Sequence, residues 1–334
     1  MEGTKMIRIA TFNIENLDGN PDQHNPQLEA RIPVLRSSLK RLQADILCLQ
    51  EVHGQELPGH TAHDPKRNLS ALDRVLEGTD YAGYERAFTR TSDDAPYNKR
   101  NLVILSRFPI TQVQQYRNDH IDKLQYRKVT ALPPEPEARD LRWERPILHA
   151  QIEVPELGQL HLINLHLKSR LATKITNQTE GYYGWKSAAA WAEGYFLSSI
   201  KRVGQALETR ILLDKLFDQE PAANILVCGD FNAEPGEVPV EAIAGRVENT
   251  NNPELRSRVL IPCSRSIPDS VRFSHYHHGQ GNLLDHMLIS QSLLPHFQGT
   301  EIHNENLHDE SLPASSDRKF PESDHAGFVA AFDY

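Results

Sequence analysis

The stretch ILVCGDFNAEPGE, residues 225–237, runs four apolar residues straight into Gly229, Asp230, Phe231 and Asn232, then stops at Pro235 and Gly236. A short apolar run bounded by turn residues is the pattern of a buried strand with an abrupt end. Side chains alternate along an extended chain, so Asp230 and Asn232 share one side of the pleat and Phe231 takes the other. A carboxylate and a carboxamide delivered together at a strand end are equipped to hold a water, a metal or a phosphate. Gly, Asp, Asn and Pro are also ordinary turn formers, so this stretch alone leaves both readings open.

Runs of the same kind recur on either side of it: IRIATFNI, DILCLQEV, NLVILSRFPI, ILHAQIEV, LHLINLHL, LLDHMLIS and HAGFVAAFDY. Two helical patterns lie between them. Leu35, Leu39 and Leu42 follow helical spacing, with Pro33 marking a helix start or a kink. Phe196, Ile200, Val203, Leu207 and Ile211 form a longer amphipathic stripe just before the 225–237 strand. Strands throughout, with helices at only some connections, predict an α+β domain in which two sheets pack and helices cover the outside. No repeat or linker divides the chain, so residues 1–334 are read as one domain. The segment 131–140, ALPPEPEARD, is read as a hairpin loop, and the segments 168–186 and 301–322 as long insertions, a type of loop that is often functional.

Composition narrows the function. With 39% hydrophobic and 24% charged residues among 334, the chain is ordinary globular material rather than disordered. Its net charge of −9 does not favour a polyanion, so nucleic-acid binding would need a local basic patch or a metal. Three cysteines make no disulfide framework, no run of about 18 apolar residues could span a membrane, and no signal-like segment opens the chain. These features predict a cytoplasmic protein.

The polar residues that could carry chemistry sit at the ends of these strands. Asn13 and Glu15 follow IRIATF, and Glu51 closes DILCLQE. Asn164, His166 and Lys168 share one side of LHLINLHLKS; Asp285 follows Leu283 and Leu284; Asp324 and His325 precede the last strand. Singly, each has a plain structural explanation as a solvated strand end, a core histidine or a turn residue. Together, acid, amide and imidazole at six strand ends supply what a metal-dependent hydrolytic site needs: hard oxygen ligands for Mg²⁺ or Mn²⁺ and groups that position water.

TFNIENL, DILCLQEV, RNLVILSRFPI, INLHLKS, VCGDFNAEP, LLDHMLIS and SDHAGF, in this order, resemble the endonuclease/exonuclease/phosphatase superfamily from about residue 7 to 334. The resemblance implies a four-layer αββα sandwich with its site at the shared edge of two mixed sheets, and hydrolysis of a phosphate ester by in-line attack of water. It implies Glu51 as principal metal ligand with Asn13 and Asp324 near the ion, Asp230 orienting or deprotonating the water, and Asn232 on the phosphate. It also implies His325 at the scissile phosphate with Asp285 behind it, and His166 as a second imidazole. Physical reasoning agrees: an anionic phosphodiester needs a cation between itself and carboxylates, and an Asp behind a histidine favours the imidazolium that donates to phosphate.

Two positions depart from the pattern. Asn101 stands where pancreatic deoxyribonuclease backs its histidine with a glutamate, which leaves His166 as a neutral hydrogen-bonding group. Glu15 stands where abasic-site endonucleases carry aspartate. Arg100, Asn101, Lys168, Arg170 and Arg272, with Lys99, are the candidate substrate contacts. Tyr182, Tyr183, Trp185 and Trp191 could stack bases but are read mainly as packing against the protein. His275, His277 and His278 in FSHYHHG lack cysteines or an evident fourth ligand and are read as a polar loop beside the site rather than a zinc centre.

Three functions follow for testing. The first is a Mg²⁺- or Mn²⁺-dependent nuclease acting on DNA or RNA. The second is a phosphomonoesterase or phospholipase C-like enzyme using the same site, although no apolar membrane-docking hairpin is readable. The third is a binding protein that retains the fold without catalysis.

Overall fold

The computed structural model describes residues 5–19, 27–61, 63–181, 184–248, 250–312 and 319–333. Two six-stranded mixed sheets pack face to face. One runs in the order Phe297–His303, Gly327–Asp333, Met6–Leu17, Ile46–Val52, Asn101–Ser106, Glu85–Phe88; the other runs Ile261–Pro262, Asp285–Ile289, Asn224–Asp230, Gly158–His166, Ile147–Val154, Ile110–Tyr116. Each sheet has one parallel pair at its centre, Met6–Leu17 with Ile46–Val52 and Gly158–His166 with Asn224–Asp230. Parallel pairs need long crossovers, and helices supply them. Leu28–Leu42 joins the first pair and Ala188–Gln219 the second.

Three apolar layers result, which makes the domain a four-layer αββα sandwich. Ile7, Ile9, Cys48, Leu102, Leu162, Leu226, Met287 and Phe328 fill the space between the sheets. Leu35, Leu39, Leu42, Leu47, Leu72 and Val103 seal the first sheet under its helices. Ile163, Leu165, Leu213, Phe217, Val227 and Phe231 do the same for the second. Each central strand is therefore apolar on both faces, which explains why these strands read as continuous runs rather than alternations. Pro33 lies inside the helix Leu28–Leu42 rather than at its start. Residues 131–138 fall in the connection between the paired strands Leu124–Tyr126 and Arg139–Leu141, and Arg139 and Asp140 already belong to the second strand.

The long helix departs from its predicted stripe. Phe196 and Leu207 are about half exposed, and Ile200, Val203 and Ile211 are only partly covered. Its buried face instead carries Leu197, Leu212, Leu213, Leu216 and Phe217 together with Glu193, Gly194, Gly204, Gln205 and Glu208. Glycines and hydrogen-bonded polar groups hold core positions there because other parts of the chain come very close. A Cβ on Gly204 would lie 2.4 Å from the Trp143 ring. Glu208 accepts from the Asn118, Asp119 and His120 amides at 2.7–3.1 Å and from the Trp143 indole at 2.5 Å. Glu193 receives the Val129 and Thr130 amides at 2.5 and 2.9 Å and the Tyr126 hydroxyl at 3.0 Å. These donors hold Glu193 below the usual carboxylate range although its burial pushes the other way. No helix of the described residues is long and apolar enough to cross a membrane.

Candidate active site

Register brings the strand-end residues together. His166 pairs with Asp230 across the parallel strands, and Asp230 with Asp285 across the next antiparallel pair, so three reactive side chains stand in a row at one sheet edge. In the facing sheet Asn13 pairs with Gln50, after which the ladder is interrupted by a bulge. Glu15, Asn16 and Glu51 there adopt φ of 51°, 41° and 64°, left-handed values that cost non-glycine residues of order 1 kcal/mol or more each. Four hydrogen bonds hold the bulge: Glu15 N–H donates to Asn13 Oδ1 at 3.0 Å, Asn16 N–H to Glu51 Oε2 at 2.8 Å, and the Arg31 guanidinium to the Glu15 and Ile14 carbonyls at 2.6 and 2.8 Å. The effect is to turn Glu51 toward the opposite sheet. There its Oε1 lies 3.6 Å from His166 Nε2 and 3.6 Å from Arg100 Nε.

Asp230 is the centre of the arrangement. Its Oδ2 receives Asn13 Nδ2 at 3.1 Å and Asn232 Nδ2 at 2.9 Å and lies 3.3 Å from His166 Nε2; its Oδ1 receives the Asn232 amide at 2.8 Å. That last bond closes an Asx turn, so the turn and the buried carboxylate are one device rather than alternatives. Phe231, completely buried, anchors the turn from the other side. Burial raises the Asp230 carboxyl to about 6, opposed by His325 and assisted by Asp285. A carboxylate there is poised to accept a proton near neutrality.

The two imidazoles differ. His325 Nδ1 lies 2.7 Å from Asp285 Oδ2, and its Nε2 stands 4.0 Å from Asp230 Oδ2. Burial alone would lower the His325 pKa, but Asp285, Asp324 and Asp230 together raise it well above the ordinary value, so this ring is a cation. His166 goes the other way: burial first, then Arg145, Arg100, His325 and Lys168, drive it well below the ordinary value, and the ring is neutral.

Crowded acids give the place for a cation. Asp324 N–H donates to Glu15 Oε2 at 3.1 Å, and Asp324 Oδ1 is buried with no hydrogen-bond partner among the described residues. Burial and the neighbouring carboxylates raise Glu15 to about 8 and Asp324 to about 7, although Arg31 and His325 respectively pull them down. Buried carboxylates with an unused oxygen are the kind of donor that a hard divalent ion takes, so the donor chemistry here fits such an ion.

Basic groups flank this point. Lys168 is nearly covered, 4.0 Å from Glu144, and burial lowers its ammonium to about 8 despite that carboxylate. Arg145 lies beneath, its guanidinium bonded to the His166 and Leu167 carbonyls at 2.9 Å each. Nothing in the sequence pattern marked Arg145, Arg31 or Gln50. They act on backbone or on buried polar side chains, as Gln50 does in donating to the Thr11 hydroxyl within its own sheet at 3.0 Å and to Asn164 of the facing sheet at 2.7 Å.

Three candidate substrate contacts stand elsewhere than expected. Asn101 is fully buried and spends its side chain on Thr89, Tyr97 and the Val52 carbonyl, so it neither backs His166 nor offers a donor to substrate. Arg170 clasps the 232–237 turn, bonding Glu237 at 2.8 Å, Glu234 at 3.4 Å and the Asn232 carbonyl at 3.3 Å. Arg272 pairs with Asp269 and lines a cavity of about 930 Å³ on the helix side of the second sheet. Val240, Ala244, Leu260 and His286 form part of its wall, and Asp285, next to His286, faces the opposite way. Trp185 packs against a small cluster of Ala131, Ile175 and Leu197, while Trp191 is about half exposed and stacks on Tyr195. Tyr182 and Tyr183 lie outside the described residues, as does the 313–318 part of the second insertion.

Known proteins share this fold. Among solved structures, the chain superposes on a mannosyl-6-phosphatase of Bacteroides thetaiotaomicron with TM-score 0.59 at 13% identity, covering 98% of this chain and 100% of that one. It superposes on truncated Caenorhabditis elegans TDP2 with TM-score 0.54 at 15% identity, covering 98% of each. The 3′ phosphatase NExo from Neisseria, solved with a product DNA hairpin, gives TM-score 0.52 at 17% identity, covering 98% and 100%. No curated protein sequence matches the chain. Likenesses at these identities establish the fold; the family model for the endonuclease/exonuclease/phosphatase family matches residues 10–325. With Asp230, Asp285 and His325 assembled at the edge shared by two sheets, and a family model spanning nearly its whole length, the chain belongs to the endonuclease/exonuclease/phosphatase family, whose members hydrolyse phosphoester bonds.

Proposed function

We propose that the protein is a metal-dependent phosphodiesterase that cuts nucleic acid by in-line attack of water. The observation that carries the choice of substrate is the distribution of positive charge in a chain of net charge −9. Arg100 and Lys168 flank the reacting side and Arg256 and Arg265 line the cavity beyond the 232–237 turn, whereas Arg170, Arg246 and Arg272 near that turn are held by Glu237, Glu241 and Asp269. One phosphate monoester needs two or three positive groups; a set spread to both sides of the turn suits a strand with several phosphates.

In this reading Asp230 aligns the attacking water and takes its proton, with Asn13, Asn232 and neutral His166 fixing the carboxylate. Cationic His325, held by Asp285, donates to a phosphoryl oxygen and stabilises charge gathering there, while the P–O bond opposite the entering water breaks and the leaving alkoxide takes a proton from solvent. Glu51, Asp324 and Asn13 would hold a Mg²⁺ or Mn²⁺ ion, which supplies the positive charge that lets the anionic ester approach these carboxylates. Purified protein should be given Mg²⁺ or Mn²⁺ and assayed against supercoiled DNA, single-stranded DNA, RNA and a panel of phosphomonoesters. Cleavage of a polymer that stops on chelation and returns with the ion is expected. Turnover of monoesters with every nucleic acid left intact would transfer the same residues to a phosphatase, and full activity in excess chelator would defeat the metal assignment.

A further inference from the structure

The FSHYHHG segment is built into the site. It forms the hairpin His275–His277 and Gln280–Asn282, clamped at its base. Ala326 N–H donates to the Ser274 carbonyl at 2.7 Å, and Ser274 Oγ accepts from the Leu284 and Asp285 amides at 3.1 and 3.0 Å. A backbone bridge joins His275 to His325. Their ring centroids lie 5.2 Å apart, and a nitrogen of His275, a nitrogen of His325 and a carboxylate oxygen of Asp324 all stand within 4.8 Å of one another.

Glu310 fixes how His275 is used. Its Oε2 lies 3.1 Å from His275 Nε2 and 3.0 Å from His277 Nδ1, and the Glu310 amide donates to the Tyr276 carbonyl at 2.9 Å. A carboxylate on Nε2 makes that nitrogen the N–H donor and leaves Nδ1 with its lone pair. Nδ1 of His275 is buried and has no hydrogen-bond partner among the described residues, in a residue only 7% exposed. The neighbouring Asp324 Oδ1 is likewise unpartnered. A carboxylate behind one nitrogen and a free, desolvated lone pair on the other is the arrangement that backs metal-binding histidines. His325 has its Nδ1 committed to Asp285, so Nε2 is the nitrogen left to it; an ion bound there displaces the proton that this nitrogen carries in the ion-free protein and takes over the positive charge the ring otherwise presents to the phosphoryl oxygen.

We propose that His275, His325 and Asp324 form a second cation subsite beside the oxygen donors Glu51 and Asn13, and that this subsite takes a transition-metal ion, Mn²⁺, Co²⁺ or Zn²⁺, in preference to Mg²⁺. The inference rests on the metal-dependent reading above and deepens it. Two imidazoles and one carboxylate favour the later first-row ions, whereas Mg²⁺ keeps to oxygen and gives up its waters reluctantly. Glu310 is a positioning residue for this subsite. Cysteines are not required for such a set, which is why the histidines alone did not reveal it: two of the three ligands lie about 50 residues further along the chain, at 324 and 325.

The test uses the metal-free protein titrated separately with Co²⁺, followed by visible absorption, and with Mg²⁺, followed by calorimetry. Wild type should bind Co²⁺ more tightly than Mg²⁺. His275→Ala should weaken Co²⁺ roughly 10-fold or more and leave Mg²⁺ within about 2-fold, and Glu310→Gln should weaken Co²⁺ by a smaller factor. Glu51→Gln should do the reverse, weakening Mg²⁺ most. Should His275→Ala fail to fold, the Co²⁺-loaded wild type still decides: its proton NMR spectrum should show two exchangeable, paramagnetically shifted imidazole N–H signals, one from each histidine. Equal Co²⁺ affinity in wild type and His275→Ala, or fewer than two such signals, overturns the subsite and leaves His275 a packing residue, with Mg²⁺ binding untouched. Failure of wild type to bind either ion would overturn the metal-dependent function as well.

Discussion

Among single residues, Asp230 sits at the centre of the chemistry. If it aligns water, Asp230→Asn keeps the shape of the turn, since an amide can still meet the Asn232 amide, but removes the base. We expect kcat to fall by roughly 10²-fold or more with substrate binding retained. A rate near wild type, measured under the same metal saturation, would return Asp230 to a purely structural turn residue. The histidines give a second expectation. His325 carries its charge because Asp285 is 2.7 Å away, and His166 is neutral among arginines. His325→Ala should therefore damage kcat more than His166→Ala, and Asp285→Asn should resemble His325→Ala. Equal losses at the two histidines with a harmless Asp285→Asn would reverse their roles. Most of these positions were legible in the sequence because each stands where an apolar run stops, and a polar group at such a stop needs a reason. Asn101 was misplaced because adjacency to Arg100 says nothing about direction: at φ of 59° Arg100 turns the chain, and Asn101 points into its own loop.

At the scale of the element, the strand Asn224–Asp230 depends on Gly229. Its φ is +129°, and a Cβ there would lie 2.0 Å from the Leu165 carbonyl oxygen of the paired strand. Backbone cannot yield as a side-chain tip can, so Gly229→Ala should cost about 3 kcal/mol or more and shift His166 relative to Asp230. Chemical denaturation checks the stability, and a melt within 2 °C of wild type would show that the pairing tolerates the change. Strands were readable from the sequence because central strands covered on both faces are apolar throughout. The face of the long helix was not. Its buried side holds Glu193, Gly194, Gly204, Gln205 and Glu208 against loops, which inverts the hydrophobic pattern, while Phe196 and Leu207 face outward. Periodicity reports apolar contact, and this face makes polar contact.

At the scale of the whole molecule, charge sets two further expectations. In the ion-free protein Glu15, Asp324 and Asp230 are raised from 4.5, 3.8 and 3.8 to about 8, 7 and 6. The folded state thus binds more protons than the unfolded one between about pH 4 and 8, and the stability these groups contribute is lost as pH climbs through that window. A divalent ion replaces those protons, so added Mg²⁺ or Mn²⁺ should raise Tm more near pH 8 than near pH 6. A larger shift at the lower pH would contradict the placement of the ion beside these carboxylates. With net charge −9 and few free basic groups, nucleic-acid affinity should fall with salt at a log–log slope of only about −2 to −4, the release expected for two to four phosphates. Binding titrations across salt concentrations measure it, and a slope steeper than about −6 would mean a far larger contact surface. The placement of the last strand, Gly327–Asp333, between Phe297–His303 and Met6–Leu17 bears on how the molecule comes into being. Ser323 Oγ donates to the Asn13 carbonyl across 310 positions, and Asp324 and His325 follow directly. Pairings so distant in sequence close slowly. During synthesis the strand Met6–Leu17 must therefore wait, one edge unpaired, until residues 310 positions further along have been made, and the row of reactive side chains is completed only when they arrive.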